Sequence, residues 1–201
     1  MIPAPRLLLI TDRAQARRPL ADILDAAFAA GCRWASLREK DLDPAARLAL
    51  LEELLPVARR HGAVLTVHGD LEAARRCDGV HLGAGGDVAA ARAALGPDRL
   101  VGLSCHSAAE VRGLSPAPDY VTVGPVFPTA SKPGYGPALG PGALAEAADS
   151  GIPVLALGGV EAGNAAACGA AGAGIAVMGG VMRAADPGAT VEALLAALRA
   201  G

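Results

Sequence analysis

The feature that most constrains the fold of this chain is an eightfold alternation of short apolar segments with longer Ala-rich segments. The apolar segments are rich in Val, Ile and Leu and have the length of buried strands, whereas the Ala-rich segments have helical periodicity. The predicted strands lie at 7–11, 34–38, 64–67, 79–82, 100–103, 120–124, 154–157 and 174–178. The predicted helices lie near 19–30, 44–60, 70–76, 87–95, 107–114, 141–149, 161–171 and 187–199.

Eight strand–helix units in 201 residues leave room only for short loops, and continuous apolar strands are typical of a parallel sheet covered on both faces. We therefore predict an α/β protein in which residues 1–201 form one domain, a single (β/α)₈ TIM barrel. An open doubly wound sheet is the alternative. That fold usually has fewer strands and a glycine fingerprint after the first one, where this chain reads Thr11-Asp12-Arg13-Ala14.

Composition narrows the classes of function. The net charge is −2 and there is no long basic run, so we expect no nucleic-acid partner. No segment has the roughly 20 apolar residues of a membrane span or the pattern of a signal peptide, so we expect a soluble, cytoplasmic protein with no membrane partner. The cysteines have no zinc-like spacing and are predicted to be reduced, buried thiols. They are Cys32, Cys77, Cys105 and Cys168.

In such a barrel, functional residues gather where the carboxyl ends of the strands meet. The polar residues within or just beyond the carboxyl ends of the first six strands are Thr11, Asp12, Ser36, Arg38, Glu39, Lys40, His68, Asp70, His81, Ser104, His106, Thr129, Ser131 and Lys132. The long connection 125–140 is typical of an active-site lid.

Two glycine pairs follow the last two predicted strands, Gly158-Gly159 and Gly179-Gly180. The last two loops of such barrels commonly bind phosphate through backbone N–H groups, and glycine lets the backbone approach an anion closely. The pairs therefore predict a phosphate site. The alternative is that each pair only forms a tight turn.

Arg38 and Lys40 alternate along an extended segment and therefore point the same way. With Lys132 from the long connection, they form a cluster suited to a second anion. The alternative is a solvated charged surface or an ion pair with Glu39 or Asp41.

The histidines divide into two groups. His81 lies inside a predicted strand and is interpreted as structural, whereas His68 and His106 lie just beyond strand ends and are candidates for proton transfer. A site formed by three histidines is not favoured, because no carboxylate lies at ligand spacing, and we expect no metal cofactor.

Short motifs along nearly the whole chain resemble the thiamine phosphate synthase and TenI family. They are LITD (9–12), LREK (37–40), DGVHLG (78–83), GLSCHS (102–107), DYV (119–121), GPVFPT (124–129) with Ser131-Lys132, LG (139–140) and ALGGV (156–160). The resemblance implies a (β/α)₈ barrel that acts in thiamine biosynthesis on a thiazole phosphate or thiamine phosphate, and it implies association into homo-oligomers.

The resemblance also implies residue roles. The coupling enzymes of this family join a hydroxymethylpyrimidine pyrophosphate to a thiazole phosphate and release pyrophosphate with the help of Mg²⁺. Carried over, Arg38, Lys40, Ser104 and Lys132 would hold pyrophosphate, and Thr129 and Ser131 would contact the thiazole. The glycine pairs Gly158-Gly159 and Gly179-Gly180 would hold its phosphate.

Three departures separate this chain from the coupling enzymes. His68-Gly69 replaces Asn-Asp, whose aspartate binds the metal. Residues 83–87 read Gly-Ala-Gly-Gly-Asp, in a segment one residue short, where the coupling enzymes have Gly-Gln-x-Asp with a second metal-binding carboxylate. Ser36 replaces a glutamine that contacts the pyrimidine. Mg²⁺ would then bind only if Asp70 and Asp87 serve as displaced ligands. Asp87 is equally suited to capping a helix.

These departures resemble the TenI branch, which isomerises a thiazole phosphate carboxylate by proton transfer without metal. The catalytic histidine of that branch is Pro125 here, so His68, His106 and Lys132 are the predicted catalytic residues. The sequence thus favours a metal-independent tautomerase. A Mg²⁺-dependent thiamine-phosphate synthase and a non-catalytic paralogue that binds thiamine phosphate are the alternatives, and an unrelated sugar-phosphate isomerase is disfavoured.

Overall fold

A computed structural model describes residues 2–129 and 138–201. Its strands form a closed parallel barrel in the order β1 to β8, and β1 pairs with both β2 and β8. The strands are β1 (Leu7–Ile10), β2 (Trp34–Leu37), β3 (Val64–His68), β4 (Gly79–Leu82), β5 (Leu100–Cys105), β6 (Tyr120–Val123), β7 (Val154–Leu157) and β8 (Gly174–Val177). The predicted (β/α)₈ barrel is confirmed.

Helices alternate with the strands in the described part of the chain. They are α1 (Leu20–Ala29), α2 (Pro44–Arg60), α3 (Leu71–Ala74), α4 (Val88–Leu95), α5 (Ala108–Arg112), α6 (Gly140–Ala148), α7 (Ala165–Ala170), α8 (Gly179–Met182) and α9 (Pro187–Arg199). Within the described ranges, none of them is long and apolar enough to cross a bilayer.

Two helices begin as the sequence indicates, with an aspartate followed by a proline. The carboxylate of Asp43 accepts a hydrogen bond from the Ala46 backbone N–H at 2.8 Å, and Asp186 caps α9 through Ala189 at 2.9 Å. Each cap satisfies one of the backbone N–H groups that a helix leaves unpaired at its start.

Several element boundaries differ from the prediction, and three of the differences lie near the carboxyl ends of the strands. His68 lies within β3, paired with His81, rather than beyond the strand. The short helix α8 was not predicted. Helix α7 begins at Ala165 because the Asn164 side chain forms a turn, accepting from the Glu161 N–H and donating to the Gly159 carbonyl.

The lumen of the barrel holds an apolar layer formed by Leu8, Ile10, Trp34, Leu100, Tyr120, Leu155 and Ala176. Trp34 and Tyr120 meet edge to face with their ring centroids 4.5 Å apart. Gly102 makes room for the Tyr120 ring, because a Cβ at that position would lie 2.1 Å from Cζ of the tyrosine. Along each strand, the residue two positions after a member of this layer also faces the lumen and lies nearer the carboxyl end. At that level the lumen is polar. Its buried polar side chains are Ser36, Thr66, His81 and Thr122.

Candidate active site

Arg38 brings the end of β2 close to the end of β8. Its guanidinium lies 3.9 Å from Sδ of Met178, the residue that precedes Gly179. Since β1 alone separates β2 from β8 in the barrel, this contact spans one strand at the carboxyl end. Arg38 and the second glycine pair therefore share one opening, which we call the mouth.

Arg13 partners the acidic residues of this segment. Glu39 is 3% exposed and accepts hydrogen bonds from the Thr11 hydroxyl at 2.7 Å and the Arg13 backbone N–H at 3.0 Å. The Arg13 guanidinium also pairs with Asp41. Burial raises the pKa of Glu39. The carboxylates that might have neutralised the cationic pair are thus bound to other groups.

His68 and His81 lie ring against ring on neighbouring strands, with centroids 4.6 Å apart. The Nε2 atom of His68 is buried and has no hydrogen-bond partner in the described residues. Burial first, and then the neighbouring His81, Arg38 and Lys40, lower the pKa of His68 well below 6.5. His68 is therefore neutral at physiological pH and close enough to feel the charge of both cations.

His81 is fully hydrogen-bonded, as its structural interpretation requires. Its Nδ1 lies 3.0 Å from the Tyr120 hydroxyl and its Nε2 lies 2.9 Å from Oγ of Ser104. Burial raises the pKa of Tyr120, which keeps its hydroxyl protonated and able to donate to Nδ1. With Tyr120 as the donor to Nδ1, a neutral imidazole carries its hydrogen on Nε2 and donates to Ser104. The Thr122 hydroxyl donates to Oγ of Ser104 at 3.5 Å, which leaves the Ser104 hydrogen for an acceptor at the mouth.

His106 lies on the other side of the mouth, at the end of β5. Its Nδ1 is 2.9 Å from the Gly124 carbonyl oxygen, which can only accept, so the imidazole donates from Nδ1. Its backbone N–H donates to the Glu110 carboxylate at 2.7 Å. Because β4 lies between β3 and β5, His81 separates the two histidines predicted to transfer protons.

The first glycine pair has a structural reason to be glycine. Gly158 and Gly159 have φ values of +94° and +65°, and a Cβ at Gly159 would lie 2.4 Å from the Pro128 carbonyl oxygen. The Phe127 N–H donates to the Gly158 carbonyl at 3.0 Å. This tight packing explains the pair without a ligand, so phosphate binding by Gly158 and Gly159 stays a prediction.

The second glycine pair opens helix α8. Gly179 is buried against the side chains of Arg183 and Gln15, whereas Gly180 is exposed and has open space where a Cβ would be. The first N–H groups of a helix have no partner within it. The location beside Met178 and Arg38 suits the predicted anion site, although no bound anion tests it.

Of the remaining predicted residues, Ser36 and Thr129 are among the described residues, whereas Ser131 and Lys132 are not. Ser36 is buried in β2, and its hydroxyl has no hydrogen-bond partner in the described residues. Thr129 is the last residue described before the gap. Ser131 and Lys132 lie outside the described residues, so their predicted roles stay predictions.

The carboxylates at the mouth do not fit a Mg²⁺ site. Asp70 caps α3 through the Ala73 N–H at 2.9 Å and pairs with Arg47 at 2.7 Å, and Asp87 caps α4 through the Ala90 N–H at 2.8 Å. Residues 2–129 and 138–201 contain no cluster of three His, Cys, Asp or Glu side chains that could hold a metal. Asp70 and Asp87 therefore act as helix caps.

A cavity of about 480 Å³ lies between the loops after β7 and β8 and helix α9. Its lining includes Val160, Glu161, Gly180, Val181 and Leu194, but none of the cationic or histidine side chains of the mouth. Gly180 belongs to both, so the cavity adjoins the mouth, and the cationic and histidine side chains place the candidate site at the mouth.

Sequence reasoning missed Arg13 and Tyr120 as parts of the site's framework. Arg13 binds Glu39 and Asp41 from the loop after β1, and Tyr120 supports His81 from β6, two strands away. The DYV segment was noted only as a family motif, and nothing in the local pattern indicated the partners of these residues.

Known proteins resemble the chain along most of its length. The family model for thiamine monophosphate synthase matches residues 7–181. The chain is 45% identical over 186 residues to the thiamine biosynthesis bifunctional protein ThiM/ThiE of Symbiobacterium thermophilum, covering 89% of this chain but only 38% of that longer protein. It is 40% identical to the thiamine-phosphate synthase of Roseiflexus sp. strain RS-1, covering 94% of this chain and 84% of that protein.

A solved structure agrees with these relatives. The thiamine phosphate pyrophosphorylase of Pyrococcus furiosus superposes with a TM-score of 0.85 at 28% identity and covers 96% of this chain and 95% of that one. The family expected from the short motifs is therefore confirmed, and with it an enzyme. A shared barrel, shared motifs and matched relatives together show that this chain belongs to the thiamine monophosphate synthase family.

Proposed function

We propose that the chain is a thiamine-phosphate synthase that couples hydroxymethylpyrimidine pyrophosphate to thiazole phosphate and releases pyrophosphate. The observation that carries this proposal is the contact between Arg38 and Met178, because it joins a cationic segment to the glycine loop in one mouth. Two anion-binding groups in one opening suit two substrates that each carry phosphate. The names of the curated relatives support the same activity.

The coupling reaction does not require a strong general base. The thiazole nitrogen forms a bond to the methylene carbon of the pyrimidine, while the carbon–oxygen bond to pyrophosphate breaks and the leaving group keeps the electron pair. No proton has to be removed from carbon. Negative charge grows on the leaving oxygen, where Arg38, Lys40 and the hydrogen of Ser104 are suited to stabilise it.

The tautomerase that the sequence favoured is our second candidate. It needs a positioned base, and His68 is the side chain at the mouth with a buried, unpartnered ring nitrogen. Burial lowers the pKa of His68, however, and so makes it a weak base at neutral pH. This physical argument and the names of the relatives together favour coupling.

The test is a coupling assay with purified protein, both substrates, and Mg²⁺ either present or chelated. We expect thiamine phosphate and pyrophosphate to form in equal amounts. Arg38→Gln should lower the coupling rate by about 10²-fold. Arg112→Gln, which removes a cation that pairs with Glu146 on the outer helices, is the matched control and should leave the rate unchanged.

Other results would contradict the proposal. Isomerisation of a thiazole phosphate carboxylate without coupling would establish the tautomerase. Binding of thiamine phosphate with turnover of neither substrate pair would establish a non-catalytic paralogue.

A further inference from the structure

The acidic side chains in the loops after the first four strands are bound to protein groups. Four of them cap helices or pair with arginine, namely Asp41, Asp43, Asp70 and Asp87. Glu39 is buried between Thr11 and Arg13. Asp12 accepts from the side-chain amide of Gln15 at 2.6 Å. Each of these carboxylates is thus already engaged by at least one protein group in the described residues.

The loops after the later strands supply no substitute. Glu110 accepts from the His106 backbone N–H, and Asp186 caps α9. Glu161 lines the cavity beside α9, whose lining includes none of the cationic or histidine side chains of the mouth. The sequence of residues 130–137 contains Lys132 but no Asp or Glu. The segment that is not described therefore cannot contribute a carboxylate.

The charge of the mouth is instead positive. The Arg38 guanidinium lies 3.9 Å from Met178 at the mouth, and Lys40 follows two residues later in the same loop after β2. Coulomb attraction scales with the charge of the ligand, and a bound Mg²⁺ removes two negative charges from pyrophosphate. A cationic mouth whose carboxylates are already engaged should therefore bind free pyrophosphate more tightly than its Mg²⁺ complex.

We propose that this mouth binds pyrophosphate as the metal-free anion, with its own cationic side chains and no protein-held Mg²⁺ neutralising the charge. The inference rests on the proposed function, since pyrophosphate is the leaving group of that reaction. The inference adds that pyrophosphate is bound without Mg²⁺. It follows because the coupling enzymes of the family use Mg²⁺, whereas the carboxylates at this mouth are already bound to protein groups.

The test is equilibrium dialysis of the full chain against labelled inorganic pyrophosphate at constant pH and ionic strength. We expect excess Mg²⁺ to weaken apparent binding by about tenfold, equivalent to ~1.4 kcal/mol. Unchanged or tighter binding with Mg²⁺ would overturn the inference, as would an absence of binding without the metal.

Two matched variants test the displaced-ligand alternative. Asp70→Asn and Asp87→Asn remove a carboxylate while keeping a side chain that caps helices well. We expect both to show the same Mg²⁺ effect as the parent chain. A variant that loses a Mg²⁺-dependent gain in affinity would identify its aspartate as a metal ligand and contradict the inference.

The coupling assay separates the two proposals. Coupling that is strictly dependent on Mg²⁺, together with tighter pyrophosphate binding in its presence, would leave the synthase intact and overturn only the metal-free binding. No coupling, with pyrophosphate still bound best without Mg²⁺, would overturn the synthase and retain the anion site.

Discussion

Tyr120, His81 and Ser104 form the hydrogen-bonded centre of the lumen. The Tyr120 hydroxyl lies 3.0 Å from one nitrogen of His81, and Ser104 lies 2.9 Å from the other. When a buried polar group loses its hydrogen-bond partner, the protein loses more stability than the bond itself contributed, because no water replaces the missing partner. Individual atoms in this group therefore control both stability and the direction of the Ser104 hydrogen.

Tyr120→Phe removes only the hydroxyl group and therefore tests its contribution to stability. The change leaves Nδ1 of the buried His81 without its donor, so we expect the free energy of unfolding to fall by about 1–3 kcal/mol. Urea denaturation followed by circular dichroism measures the loss. An unchanged midpoint would show that the hydroxyl contributes nothing.

The pH dependence of stability should report His81. Burial lowers its pKa from 6.5 to about 4, so the unfolded chain binds this proton first as the pH falls. The stabilisation from the neutral ring is complete above pH 6.5 and is lost between pH 6.5 and about 4. We expect this histidine to contribute a slope of about 1.4 kcal/mol per pH unit in that window.

His81→Gln is the comparison for that measurement. Glutamine cannot titrate, so urea midpoints collected across the same pH range should fall less steeply than in the parent chain. Equal slopes would contradict the assignment of this proton to His81.

Helix starts and close strand contacts connect the sequence to the barrel at the scale of elements. Asp43 and Asp186 cap the two longest helices, each followed by proline at the first helical position. Gly102 lets β5 lie directly under the Tyr120 ring of β6. These features stabilise elements that form the wall beneath the mouth.

Asp186→Ala removes the cap of α9, and we expect a loss of about 1 kcal/mol in the free energy of unfolding. Asp186→Asn is the matched control, because asparagine caps helices about as well as aspartate does. Thermal or urea unfolding compares the two variants. Equal losses in both would point to the charge of Asp186 and not to its capping bond.

Gly102→Ala places a methyl group 2.1 Å from a ring carbon of Tyr120, so ring or strand must move. We expect a loss of about 1–3 kcal/mol or more, as for other overpacked cores. Gly142→Ala is the control, because Gly142 is an exposed residue of α6 with open space around it and should gain stability from helix propensity. A harmless Gly102→Ala would show that Tyr120 does not need this space.

The closed barrel links the lumen to the outer helices at the scale of the whole molecule. β1 contributes Leu8 and Ile10 to the apolar layer and Leu7 and Leu9 to the core beneath the helices. Closure through β1 and β8 leaves no strand edge, so one layer cannot open without disturbing the other.

The single tryptophan, Trp34, tests that linkage, because it is fully buried in the lumen. We expect the urea transition seen by its fluorescence to coincide with the helical transition seen by circular dichroism. Two separated midpoints would mean that the lumen and the helical layer unfold independently.

Sequence periodicity was enough to predict the strands and the closed order, because each strand carries its own local apolar signal. The short helix α8 gave no such signal, since Gly179 and Gly180 form half of its four residues. Non-local partners were equally hidden. Glu39 is bound by Thr11, 28 residues earlier, and Tyr120 reaches His81 across 39 residues. Residue types indicated an anion site, but only the folded chain shows which acids are already engaged.

The apolar layer that contains Trp34 and Tyr120 determines how molecules enter and leave the lumen. It plugs the barrel, which is therefore a cup and not a tube. Any molecule that reaches His81 has to arrive and depart through the same rim. Of two compounds held in such a cup, the deeper one enters first and leaves last.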